Sequence, residues 1–182
     1  MNKNFFSALS EICDVLAAQK LPRWEELPDF ELYMDQVLAI INRYLSGYPT
    51  FEGKGLTASM VNNYVKMGVL PPPERKKYSR VHIARLIMIC ILKPSLPIAS
   101  IQMLITCDPD DTPDEIFYDR FCDLFEQTDL AVASSERNLL NGEGMRPLDT
   151  IYYAALRAQA EQTLASRLFS VLFEPEAKPV KS

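Results

Sequence analysis

The side chains between Lys54 and Lys93 suit the recognition of phosphate and bases rather than the making of bonds. These forty residues hold eight Lys or Arg and a single acid, Glu74; the rest of the chain carries 11 bases against 23 acids. The balance is +7 on the segment and −12 elsewhere, hidden within a total of −5. A split of this kind predicts a nucleic-acid-binding segment inside an otherwise acidic protein. Within it, Ser59, Asn62, Asn63 and Lys66 share the outward side of a short helix whose inward face is Met60, Val61 and Tyr64. An Asn amide can pair bidentately with adenine, worth about 1–3 kcal/mol of discrimination. Arg75, Lys76, Lys77 and Arg80 follow, as cations that would meet phosphate and set the register. Six or so such contacts predict at least a roughly thousandfold loss of affinity between about 50 and 200 mM salt.

Other chemistry finds little footing. His82 is the only histidine, which works against His-centred metal sites and Ser-His or Cys-His catalysis, so neither enzyme, metal nor cofactor is expected. Cys13, Cys90, Cys107 and Cys122 have no CxxC spacing, and three fall in apolar stripes; they read as reduced thiols rather than a disulfide or zinc framework. Asp108, Asp110, Asp111 and Asp114 lack the glycine and terminal glutamate of a calcium loop and read as helix capping. GKGLT at 53–57 lacks the spacing of a phosphate loop. His82 occupies the third helical position after Ser79, where a capping box has an acid. It is either near a phosphate, which would offset the helix dipole, or a lone surface histidine.

The elements that must position these residues are helical. All six glycines fall at breaks, and prolines punctuate the same places. Phe5, Leu9, Ile12, Cys13 and Leu16 give a first helix one apolar face. LPRWEELPD is a proline-bounded connection that Trp24 packs down. Asp29 caps a second helix burying Met34, Val37, Leu38, Ile41, Tyr44 and Leu45, and Gly47 stops it. A loop at 48–56 leads to Thr57, the N-cap of a helix from Ala58 to Met67 that Gly68 closes. Pro71 to Pro73 exclude helix, so PPPERKK is an extended turn or small hairpin ending at Tyr78. Ser79 then caps a helix apolar on most sides, hence central; Pro94 ends it, and Pro97 opens the next. Thr112 to Glu115 form a capping box for a helix with Ile116, Phe117, Phe121, Leu124 and Phe125 at helical spacing. After NGEGMRP a last helix runs from Leu148 to about Phe173, with a stripe of Leu148, Ile151, Tyr152, Ala155, Leu164, Leu168 and Leu172.

Tyr64, Gly68-Val69-Leu70-Pro71, Lys76 two residues before Tyr78-Ser79, Leu86 and Ile98 to Ile101 together resemble the winged helix-turn-helix head of the MerR family. That resemblance covers about fifty residues and implies a recognition helix, a basic wing and a DNA-binding homodimer. The phrases LPRWEELPDFELYMDQV, NNYVKMGVL and KKYSRVHIARL resemble domain of unknown function 1836, an uncharacterised bacterial family. Ser59, Asn62 and Asn63 stand where MerR-like helices carry arginines and a tyrosine, and the wing is shortened.

The expectation is an all-α protein: a helix and connection at 1–29, a MerR-like winged helix-turn-helix core at 30–106, a helical C-terminal domain at 107–174 and a disordered tail at 175–182. It would bind double-stranded DNA as a homodimeric regulator through Thr57, Ser59, Asn62, Asn63 and Lys66 on the recognition helix. Arg75, Lys76, Lys77, Tyr78 and Arg80 would serve the wing and phosphates. The alternative is a protein-interaction module whose basic face binds an acidic partner without reading DNA. The last helix either dimerises or packs on 113–135. No span of 18 apolar residues and no signal peptide are read, so the expected location is cytoplasmic. Nothing specifies an operator or a small-molecule effector.

Overall fold

The computed structural model describes residues 2–48, 55–107, 111–140 and 146–173. Most of the expected loop at 48–56, the acids Asp108 and Asp110, the glycines Gly53, Gly142 and Gly144, and the tail at 175–182 lie outside them. The described residues are all-α: α1 (Asn2–Ala18), a short 3-10 turn (Trp24–Glu26), α2 (Met34–Tyr44), α3 (Ala58–Lys66), α4 (Arg80–Leu92), α5 (Ile98–Thr106), α6 (Asp114–Leu140) and α7 (Pro147–Phe173). They contain no strand, only two isolated antiparallel bridges, Leu32 with Tyr78 and Glu74 with Lys77. None of these helices is long and apolar enough to cross a membrane.

α4 is the central element because its sequence, RVHIARLIMICIL, offers apolar side chains around almost its whole circumference. Ile83, Leu86, Ile87 and Ile89 are fully buried, each contributing about 1.5–3 kcal/mol of transfer free energy. In the same core cluster lie Val37 and Ile41 of α2 with Leu45 at its C-cap, Val61 and Tyr64 of α3, and Ile101 and Ile105 of α5. Tyr118 and Cys122 of α6 complete the same cluster, so one core runs without a break across the 106/107 division. Tyr118 is anchored as well as buried: its hydroxyl donates to the Pro22 carbonyl at 2.9 Å. Three cysteines are buried and Cys107 is exposed, all with free thiols.

Several local expectations are corrected. Asp29 does not cap α2, which begins five residues later, at Met34. The intervening chain is held extended because Leu32 exchanges both backbone hydrogen bonds with Tyr78, at 2.9 and 2.8 Å. Gly47 is not the left-handed stop of α2; Leu45 ends that helix. In α6, Ile116 and Leu124 face outward, while Tyr118, Cys122 and Ala133 are buried. In α1, Cys13 is buried and Ile12 is exposed. α1 packs along α6, and an Arg137–Asp14 ion pair joins them.

Candidate nucleic-acid interface

The proposed recognition helix is set by its two ends. Thr57 accepts a hydrogen bond from the Met60 amide at 3.3 Å, which satisfies one of the orphan donors of the first turn. At the other end Gly68 has φ +71, the left-handed position that lets a helix stop and turn. Val69 and Leu70 then return their amides to the Tyr64 carbonyl, at 3.0 and 3.2 Å. Val61, Tyr64, Val69 and Leu70 are buried, which orients the opposite side outward. Thr57, Ser59, Asn62, Asn63 and Lys66 are all exposed there. Ser59, Met60, Asn62, Asn63 and Lys66 line a shallow open concavity. Among the described residues, Asn63 donates to the Met67 sulfur at 3.4 Å.

The segment expected to form a wing is a two-residue hairpin. Lys77 donates to the Glu74 carbonyl at 2.8 Å, and Arg75 and Lys76 between them have φ 48 and 65. Positive φ at both central residues marks a type I′ turn, for which Asn-Gly is the favoured pair. A left-handed conformation costs a non-glycine residue about 1–2 kcal/mol, yet here it is adopted by two consecutive exposed cations.

Not all of the basic island faces outward. Lys77 pairs with Glu31 at 3.4 Å and lies over the Tyr33 ring at 6.0 Å. Arg85 pairs with Asp114 at 3.6 Å. Tyr78 and Arg80, both expected to serve the wing and phosphates, are engaged within the fold. Tyr78 is buried, held by its two backbone bonds to Leu32, and burial raises its phenol pKa. The Arg80 side chain is 18% exposed, close to Glu25; it donates to the Pro28 carbonyl at 3.4 Å and stacks 5.5 Å from the Trp24 ring centroid. Among the described residues Lys66, Arg75, Lys76 and Lys93 make no ion pair with another side chain. Lys54 lies outside them.

Two features escaped sequence reasoning. Lys93, at the end of α4, lies 5.8 Å from the centre of the Tyr64 ring, a long-range contact with no local signal. His82 is not at the surface: it is 8% exposed, and its Nδ1 accepts from the Ser79 amide at 3.0 Å. It therefore performs the acceptor role of the missing capping-box acid as a neutral ring, a role that the Ser-x-x-His spacing could have disclosed. Burial pushes the His82 pKa down, the carbonyls of Pro71 and Pro72 oppose that shift, and Arg85 adds to it. Neither carbonyl forms a well-aligned hydrogen bond to Nε2. No cluster of His, Cys, Asp and Glu able to hold a metal occurs among the described residues.

The family model described as a domain of unknown function (DUF1836) matches residues 22–124. The chain therefore belongs to that family, and the matched span closely follows the continuous core from Leu21 to Cys122. No curated protein and no solved structure matches the chain.

Proposed function

We propose that the protein is a sequence-specific binder of double-stranded DNA, a transcriptional regulator of MerR-like winged helix-turn-helix type. In this reading α3 enters the major groove, Ser59, Asn62 and Asn63 face base edges, and Lys66 and the wing tip hold phosphates. The observation that carries it is the wing turn, where Arg75 and Lys76 occupy consecutive left-handed positions. Strain of that kind collects at functional sites, and the two residues that bear it are exposed cations that make no ion pair among the described residues. With Lys66, Arg75 and Lys76 as the phosphate contacts, each protomer loses about fortyfold in affinity between roughly 50 and 200 mM salt. That is less than the sequence alone suggested, because Lys77, Arg80 and Arg85 are engaged within the chain.

A homodimer accompanies this reading. α7 turns Leu164, Leu168, Val171 and Leu172 to solvent, at spacings that place them on one face. Leu148, Ile151, Tyr152 and Leu156 are also exposed, but at about 100° per residue they lie nearly opposite that group. The expected single stripe is thus two patches, and the C-terminal one suits a second copy of α7. Sedimentation of L164E/L168E tests this: a monomer is expected, and an unchanged dimer refutes the assignment.

The rival reading is a protein-interaction module whose exposed basic side chains, Lys66, Arg75 and Lys76, bind an acidic partner without reading DNA. Salt-titrated binding to random and selected duplexes separates the two. A preferred duplex at moderate salt supports the regulator, and none favours the interaction module.

A further inference from the structure

Resting on the DNA-binding reading, we propose that His82 gates the wing: its neutral ring clasps the wing to the start of α4, and a proton on Nδ1 releases that clasp and weakens the grip on phosphate. The clasp is a small, buried unit. Nδ1 of His82 receives the Ser79 amide at 3.0 Å and lies 2.8 Å from the Ser79 hydroxyl. A backbone N–H can only donate, so Nδ1 carries the lone pair and the ring proton sits on Nε2. The ring stands edge-on to Tyr78, with centroids 5.4 Å apart and planes at 83°. Tyr78 in turn carries both backbone bonds to Leu32. One side chain thus ties the returning arm of the wing to α4 and to the segment that leads into α2.

Protonation makes both ring nitrogens donors, which sets an N–H against the Ser79 N–H and leaves that amide without its acceptor. It also places a cation in the first turn of α4, where the helix dipole disfavours it. Arg85 is the charged group that acts on the ring, and it is of the same sign; Tyr78 and Ser79 are the other groups against it, and the facing carbonyls are those of Pro71 and Pro72. The clasp therefore holds at neutral pH and opens as the pH falls below the ordinary histidine range. Losing the two wing-tip contacts costs about thirtyfold in affinity near 0.15 M salt. The sign is distinctive. Acidification otherwise neutralises carboxylates and strengthens the binding of a protein to DNA.

The test compares the full chain with His82→Gln, which retains a capping-box acceptor and takes up no proton. Binding to a random-sequence duplex is measured at fixed salt from about pH 7.5 to about pH 5, and the Ser79 amide is followed by NMR over the same range. The wild type is expected to lose about thirtyfold in affinity while the Ser79 amide shifts and the α6 amides do not. H82Q should show neither change. Wild-type affinity that stays flat, rises or falls in parallel with H82Q overturns the gate. Absence of duplex binding at every pH overturns the DNA reading and the phosphate half of the proposal, and an Ser79 amide that does not titrate overturns the clasp itself.

Discussion

Replacing Arg75 by Asn and Lys76 by Gly together should stabilise the protein and, if the proposed DNA-binding reading holds, weaken binding to a duplex. Both residues have positive φ, 48 and 65, at about 1–2 kcal/mol apiece for an ordinary side chain. Asn tolerates that region better than Arg, and Gly occupies it freely but loses about 0.5–1 kcal/mol of backbone entropy on folding. The net gain is about 1 kcal/mol, which for a chain of this size raises Tm by about 2–4 °C. On the DNA side, two lost phosphate contacts reduce the salt slope by about 1.8. Between roughly 50 and 200 mM salt the wild type should therefore lose about tenfold more affinity than the double variant. Calorimetry and a salt-titrated duplex binding assay read the two effects separately. A fall in Tm would refute the type I′ turn, and an unchanged salt slope would refute the wing as a phosphate contact.

Other perturbations probe the frame behind the site. G68A should destabilise by about 1 kcal/mol in chemical denaturation, because φ is +71 and the added Cβ meets Gln102 Nε2 at 3.2 Å, a flexible neighbour that can give way. Y118F should cost about 1 kcal/mol or more by the same measurement, since it removes a buried donor to the Pro22 carbonyl. The His82 pKa is lowered from 6.5 in the fold, so the unfolded chain binds more protons between the two values. Stability then rises with pH through that window and is lost as pH falls below 6.5. Melting curves across the window should show this slope in the wild type, and H82Q should lessen it. D129N should raise Tm at neutral pH. Burial raises the Asp129 carboxyl pKa, so between the ordinary and the raised value the folded state binds more protons, and stability declines as pH rises through that window.

The helices were legible because their signals are local. Thr57 as N-cap, Gly68 as a left-handed stop, Ser79 at the head of α4 and Pro97 at the head of α5 all act within one turn. The all-round apolar pattern of α4 likewise announced its burial. What escaped the sequence depended on contacts across it. Leu32 pairs with Tyr78, 46 positions away, and that pairing delays α2 and fixes where Tyr78 is buried. Arg80 reaches back to Trp24, Glu25 and Pro28, so the local charge run overstated the number of outward cations. The turn at PPPERKK was legible from its prolines, but its type was not: ERKK lacks the Asn or Gly by which a type I′ turn is recognised. The stripe read over 148–172 also merged two patches, because Ala155 and Leu164 lie about two and a half helical turns apart and so face opposite sides.

The central claim is that α3 reads bases, and its most direct measurement is a duplex selection followed by binding of the selected and a scrambled duplex at one moderate salt concentration. The wild type should prefer the selected duplex, and N62A/N63A should lose about 1–3 kcal/mol of that preference per bidentate contact while keeping the wild-type salt slope. Equal binding of both duplexes by the wild type would contradict base readout and return the basic face to the role of a docking surface for an acidic partner.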